Sequence, residues 1–187
     1  MNRGIILILG GARSGKSLFA QQLASERGRQ VLFVATGAPS DDEMRQRILI
    51  HKKARPKAWR TVEVSTSIAQ AIREQRGNAD MVIVDCLSML VANLISPIHS
   101  SMEVEGVDYD AVEKELNNEL EGIIALAEEL TFQIIIVSNE VGMGLVPVYP
   151  VGRAYRDLLG RANQLIAHNA DKVYLMVAGI PLKLKGD

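Results

Sequence analysis

Residues Gly10-Gly11-Ala12-Arg13-Ser14-Gly15-Lys16-Ser17 stand between an apolar run, Ile5–Leu9, and a helical pattern over Leu18–Arg27. The octapeptide satisfies G-x-x-x-x-G-K-[ST] at every fixed position, in the strand–loop–helix context that the motif requires. Gly10 and Gly15 permit a backbone path that turns several N–H groups inward, toward phosphate oxygens. The helix that follows adds its positive N-terminal end. Lys16 carries a mobile positive charge to the outer phosphates, and the Ser17 hydroxyl suits Mg²⁺. The segment therefore predicts a nucleoside-triphosphate site and a fold that can present it.

The rest of the chain fits such a fold. Apolar runs at Val31–Ala35, Met81–Val84, Ile134–Val137 and Val173–Val177 lack polar alternation, as strands buried on both faces do. Thr61–Val64 is a weaker candidate strand, and Leu182–Lys185 a candidate edge strand. Helices are expected over Asp41–Lys53, capped by Ser40 and Glu43, and over Ile68–Glu74, capped by Ser67 and Gln70. Asp110 is the expected cap of a long helix reaching about Leu130, with Val112, Leu116, Leu120, Ile123 and Ala127 in one stripe. Val151, Tyr155, Leu158, Ala162 and Leu165 mark another, and Ser96–Val107 reads as a loop. The alternation predicts one α/β domain over residues 1–187, with a mainly parallel sheet, helices on both faces, and ligands at the carboxyl ends of the strands.

Composition narrows the function classes. With 48% hydrophobic residues the chain can build a substantial core, and a formal net charge of −1 opposes a general nucleic-acid binder. Cys86 is the only cysteine, which excludes an intramolecular disulfide and fits a reducing compartment. No apolar run is long enough to cross a bilayer and no signal peptide is visible, so a soluble, cytoplasmic protein without stable membrane insertion is expected. The three histidines have no metal-ligand spacing.

Other residues bear on the reaction. Met81-Val82-Ile83-Val84-Asp85 is a hydrophobic strand ending in a carboxylate, which suits a water-mediated contact to Mg²⁺. Cys86 reads as a small buried residue rather than a nucleophile. On a helix, Met44, Ile48 and His51 share a face, with Lys52, Lys53 and Arg55 beyond. A neutral imidazole there could attack phosphorus beside stabilising cations, although spacing alone favours His51 simply completing that face. The polar residues of Ser138–Pro147 follow a strand and should face the ligand end of the sheet. Arg153, Arg156 and Arg161 suit either a phosphorylated substrate or a solvated helix face.

The sequence closely resembles the bifunctional adenosylcobinamide kinase/adenosylcobinamide-phosphate guanylyltransferase family of cobalamin biosynthesis. The shared segments include Gly10 to Ser17, Ala35-Thr36, Asp41-Asp42-Glu43-Met44 with Arg47-Ile48 and His51, Arg55-Pro56, and Trp59-Arg60-Thr61 with Glu63. They continue through Ser138-Asn139-Glu140-Val141-Gly142-Met143-Gly144, Val146-Pro147, Arg156-Asp157, Gly160 to Gln164 and Val177 to Lys183. The resemblance runs almost end to end, and the Asn-Glu-Val-Gly-Met-Gly and His51 segments are far more specific than the phosphate loop.

The resemblance implies a RecA-like P-loop fold, assembled as a homotrimer. It implies phosphorylation of adenosylcobinamide by GTP or ATP, followed by transfer of GMP from GTP to the resulting phosphate. It makes His51 the guanylylated nucleophile. It carries nucleotide contacts to Ala35, Thr36, Gly37, Lys52, Lys53, Ala54, Arg55, Glu63 and Asp85, beside Gly10 to Ser17. Mg²⁺ would lie at Ser17 and Asp85. A kinase for another small alcohol, a non-catalytic nucleotide-binding module and a DNA-remodelling ATPase are the competing readings, the last opposed by the near-zero charge.

Overall fold

The computed structural model describes residues 4–28, 30–37, 42, 45–46, 49–50, 52, 55–95, 108–129 and 132–186. The expected helix over Asp41–Lys53 with its Ser40–Glu43 cap falls largely outside the described residues, and the expected loop Ser96–Val107 falls wholly outside them.

Among the described residues seven strands form one sheet: β1 (Gly4–Gly10), β2 (Val31–Ala35), β3 (Arg60–Glu63), β4 (Met81–Asp85), β5 (Gln133–Val137), β6 (Lys172–Val177) and β7 (Ile180–Lys185). Their spatial order is β3-β2-β4-β5-β1-β6-β7, and every pairing is parallel except the terminal β6–β7 hairpin. Strand β5 lies between β1, which leads into the phosphate loop, and β4, which ends in Asp85. This is the RecA-like arrangement that the resemblance implies. Both weaker candidates, β3 and β7, are edge strands; an edge strand has a neighbour on one side only, which explains their poorer apolar signal.

The strand residues divide between two cores by simple alternation. Ile5, Leu7, Leu32, Val34, Val82, Val84, Ile134 and Ile136 face one side. There they meet α2 (Ile68–Gln75), α3 (Leu87–Ile95), α4 (Tyr109–Glu129) and α5 (Pro150–Asn169). Ile6, Ile8, Phe33, Met81, Ile83, Ile135 and Val137 face the other, where Ala20, Leu23 and Ala24 of α1 (Lys16–Arg27) cover them. Such runs read as continuously apolar because both faces are buried.

Three features differ from expectation. Ser67 does not cap α2 with its side chain: its backbone is left-handed, at φ +57°, and the Glu119 carboxylate of α4 accepts the Ser67 and Ile68 N–H groups instead. Gln70 donates to Glu74 along its own helix. The cap of α4 is Asp108 rather than Asp110, since Asp108 Oδ1 accepts the Ala111 N–H at 3.0 Å. Helix α3 has no counterpart in the sequence reading. Leu87, Leu90, Val91, Leu94 and Ile95 are all buried, so its apolar surface is too broad to leave a clear helical stripe.

Candidate functional site

Two glycines give the phosphate loop its path. Gly10 has φ +153°, and a β-carbon there would lie 2.6 Å from Ser14 Oγ and 2.7 Å from the Met176 carbonyl. Gly15 has φ +96° and stands against Gly179, 3.3 Å from such an atom. The loop is braced from both neighbouring strands. Glu140 N–H, just past β5, donates to the Gly10 carbonyl at 3.0 Å, and Gly179 N–H, in the β6–β7 turn, donates to the Ser14 carbonyl at 3.0 Å. Gly15 occupies the cap position of α1 with no side-chain cap and no acidic residue in the first turn. The helix therefore offers its first N–H groups and positive end to an anion.

Lys16 is only 8% exposed, and its Nζ donates to the Gly11 carbonyl at 2.6 Å. Burial lowers the Lys16 pKa, against an opposing pull from Cys86 and Asp85. A bound polyanion would favour the charged form. Ser14 Oγ, within this loop, is buried without a hydrogen-bond partner among the described residues.

The floor of the site is a register row. Glu63 pairs with Ala35, Ala35 with Asp85, and Asp85 with Val137, across β3, β2, β4 and β5 at their carboxyl ends. All four residues line one cleft of about 580 Å³, together with Ala12 to Leu18, Gly37, Arg55, Cys86, Met89 and Asn139. Of the expected nucleotide contacts, Ala12, Arg13, Ser14, Gly15, Lys16, Ser17, Ala35, Gly37, Arg55, Glu63 and Asp85 thus meet in one place. Gly10 and Gly11 shape the loop from behind.

Thr36 has a different part: it is fully buried, with its hydroxyl donating to the Cys86 carbonyl at 2.8 Å and accepting the Cys86 N–H at 2.7 Å. Asn93 Nδ2 donates to the Thr36 carbonyl at 2.8 Å. Thr36 joins the ends of β2 and β4, and its hydroxyl is already engaged. Lys52 lies beside the cleft, paired with Glu63 at 2.8 Å, a half-exposed contact of modest strength. His51, Lys53 and Ala54 lie outside the described residues.

Arg55 closes one side. Its guanidinium carbon sits 3.9 Å from the centre of the Phe33 ring, a cation–π arrangement that holds the side chain over β2. Its Nε and Nη1 are buried without a hydrogen-bond partner among the described residues. Burial lowers its pKa, while Asp85 and Glu63 favour the charge. A buried guanidinium with unused donors is a receptor for oxygen anions.

Cys86 is half-buried and lines the cleft, so it is less enclosed than the small buried residue the sequence suggested. Burial, reinforced by Asp85, pushes its thiol up to about 11. Iodoacetamide at pH 8 is expected to alkylate Cys86 at least about tenfold more slowly in the folded protein than in the urea-unfolded chain, read by intact mass, because the thiolate is the reactive form. The raised value also has a stability consequence. Between about pH 9 and 11 the unfolded thiol loses its proton before the folded one does, so this group's contribution falls as pH rises.

The arginines of α5 are committed elsewhere. Arg153 donates to the Pro147 and Val148 carbonyls, Arg156 to Asp157, and Arg161 to Glu113, and none lines the cleft. His168 is exposed in the last turn of α5, and His99 lies outside the described residues. Met89 and Val137 are cleft residues that sequence reasoning did not single out, whereas Asn139 belongs to the Ser138–Pro147 segment expected at the ligand end of the sheet. The available signal was weak: Val137 ends a buried strand, and Met89 lies in the first turn of α3, the helix that the sequence pattern does not show.

A family model for cobinamide kinase / cobinamide phosphate guanyltransferase matches residues 6–184. The chain is also similar to the bifunctional adenosylcobalamin biosynthesis proteins CobU of Escherichia coli (strain K12) and CobU of Salmonella typhimurium, and to CobP of Pseudomonas aeruginosa. Identity is 39% over 181 residues in each case, covering 97% of this chain and 99%, 99% and 97% of the three relatives.

Proposed function

The chain belongs to the cobinamide kinase / cobinamide phosphate guanyltransferase family, and we propose that it performs both reactions in adenosylcobalamin biosynthesis. In the first, the cobinamide hydroxyl oxygen attacks the γ-phosphorus of a nucleoside triphosphate. The β–γ P–O bond breaks, the nucleoside diphosphate leaves, and the hydroxyl proton passes to solvent. In the second, a nitrogen of His51 attacks the α-phosphorus of GTP and pyrophosphate departs. The cobinamide phosphate oxygen then attacks the same phosphorus, breaking the P–N bond and forming adenosyl-GDP-cobinamide.

The observation that carries this reading is the meeting of Lys16, Arg55 and Asp85 in one cleft at the carboxyl end of the sheet. Lys16 and the loop N–H groups hold the outer phosphates, and Arg55 supplies a second positive charge. Ser17 and Asp85 suit Mg²⁺: both line the cleft, one hydroxyl and one carboxylate, and Mg²⁺ takes few protein ligands beside substrate phosphates. When bound, that ion would neutralise charge on the phosphates.

A homotrimer belongs to the same reading. Met143, Leu145, Val146, Val148 and Tyr149 are exposed, Leu145 at 97%, and an assembly of copies would cover such surface. No helix among the described residues is long and apolar enough to cross a membrane.

The test is product analysis. The full chain with adenosylcobinamide, GTP and Mg²⁺ should yield cobinamide phosphate, then the GDP-cobinamide together with pyrophosphate, resolved by liquid chromatography and mass spectrometry. Phosphorylation without GMP transfer would reduce the protein to a plain kinase. GTP binding without any corrinoid product would leave a nucleotide-binding module.

A further inference from the structure

Behind the cleft lies a buried polar cluster in an otherwise apolar core. Ser88 at the start of α3, Ser138 just past β5, and Asn163 in α5 are 2%, 0% and 6% exposed. Buried polar groups are costly unless hydrogen-bonded, and here the bonds converge on one residue. Ser88 Oγ accepts the Asn139 N–H at 2.8 Å. Asn163 Nδ2 donates to the Asn139 carbonyl at 3.0 Å, and Ser138 Oγ donates to Asn163 Oδ1 at 2.6 Å, fixing that amide's orientation. The next residue, Glu140, is tied by its N–H to the phosphate-loop carbonyl of Gly10. The backbone of Asn139 is therefore held on every side.

No hydrogen bond among the described residues engages the side-chain carboxamide of Asn139, and Asn139 lines the cleft with Lys16 and Asp85. Its position follows from the sheet order. Strand β5 runs between the phosphate-loop strand and the Asp85 strand, so Asn139 stands between the group that reaches the outer phosphates and the carboxylate suited to their metal ion.

We infer that Asn139 is a further substrate-contacting residue of this site, its carboxamide donating to the outermost phosphate of the bound nucleoside triphosphate, with Ser88, Ser138 and Asn163 as its positioning residues. The inference rests on the nucleotide-site part of the proposed function and names a phosphate-reading group within it. A fixed donor at that phosphate favours the triphosphate over the diphosphate, and stabilises charge during γ-phosphoryl transfer. It contributes less where the α-phosphorus is attacked, because the outer phosphates then leave together.

The experiment is calorimetric titration of the full chain with GTP and with GDP in the presence of Mg²⁺. Wild type, Asn139→Ala and Asn139→Asp are compared, with circular dichroism to check the fold. A hydrogen bond to a charged group predicts that Asn139→Ala loses at least about tenfold in GTP affinity, while GDP affinity changes by less than about threefold. Asn139→Asp, nearly the same shape but lacking the donor and bearing a negative charge, should lose more. Asn163→Ala should show the same GTP-selective loss in smaller measure, as a positioning role requires. An unchanged GTP-to-GDP preference in both Asn139 variants, or an equal loss for the two nucleotides, would overturn the inference. Wild-type protein that binds neither nucleotide would overturn it along with the nucleotide site. Wild-type protein that binds GTP but makes no corrinoid product would end the functional reading and leave this inference standing on its titration.

Discussion

Lys16→Ala is expected to lower both cobinamide phosphorylation and GMP transfer by about 10²- to 10³-fold, the usual cost of removing one charge-stabilising group from a phosphoryl-transfer site. On the proposed reading both reactions use the triphosphate, and Lys16 would be the cation of the loop around it. Its side chain is buried between the Gly11 carbonyl and the cleft, so no other ammonium on the loop can take its place. Lys16→Met, which keeps the apolar stem, separates lost charge from lost packing. Steady-state assays of both products with each variant make the check. Equal, large losses in the two variants support the charge as the cause. A Lys16→Met enzyme of normal activity would remove the loop lysine from catalysis.

His51→Ala is expected to abolish the covalent GMP adduct and all GDP-cobinamide, while cobinamide phosphate continues to form at a measurable rate. The effect is nearly complete because a covalent route has no partial substitute for its nucleophile. Intact-protein mass after incubation with GTP and Mg²⁺ reads it directly: wild type gains an acid-labile GMP mass and the variant does not. Acidification should suppress the adduct as well, since a protonated imidazole has no lone pair for phosphorus. Loss of both activities in a folded variant would make His51 a general nucleotide-binding residue. Normal GMP transfer without it would move the nucleophile elsewhere.

The phosphate loop was legible because its constraints are local. A backbone that bends through Gly10 at φ +153° and Gly15 at φ +96° needs glycine at those points, and the lysine must follow at once. Arg13 shows the limit of such reading. It adopts φ +57° without being glycine, held by a loop whose Ser14 is bonded to Gly11 and to Gly179. The five inner strands were likewise visible: burial on both faces of β1, β2, β4 and β5 leaves an apolar run that needs no knowledge of neighbours, whereas β6 carries such a run with only Val173 and Met176 buried. Helix caps were misread where the partner was remote: nothing near Ser67 in sequence announces Glu119, which lies across the α2–α4 contact.

The sequence by itself determined that this chain carries a phosphate-loop motif, that it alternates strands with helices, and which family it belongs to. These depend on short-range backbone requirements, on burial patterns and on particular residues in order. Only the tertiary structure decided that Glu63, Ala35, Asp85 and Val137 form one row along the cleft, and that Arg55 rests on Phe33. It alone tied the backbone of Asn139 to Ser88 and Asn163. Apolar strands are interchangeable in composition, so hydrophobicity states that each is buried and is silent on which lies beside which. Strand order and register arise from contacts between residues far apart in the chain, and those contacts assemble the cleft.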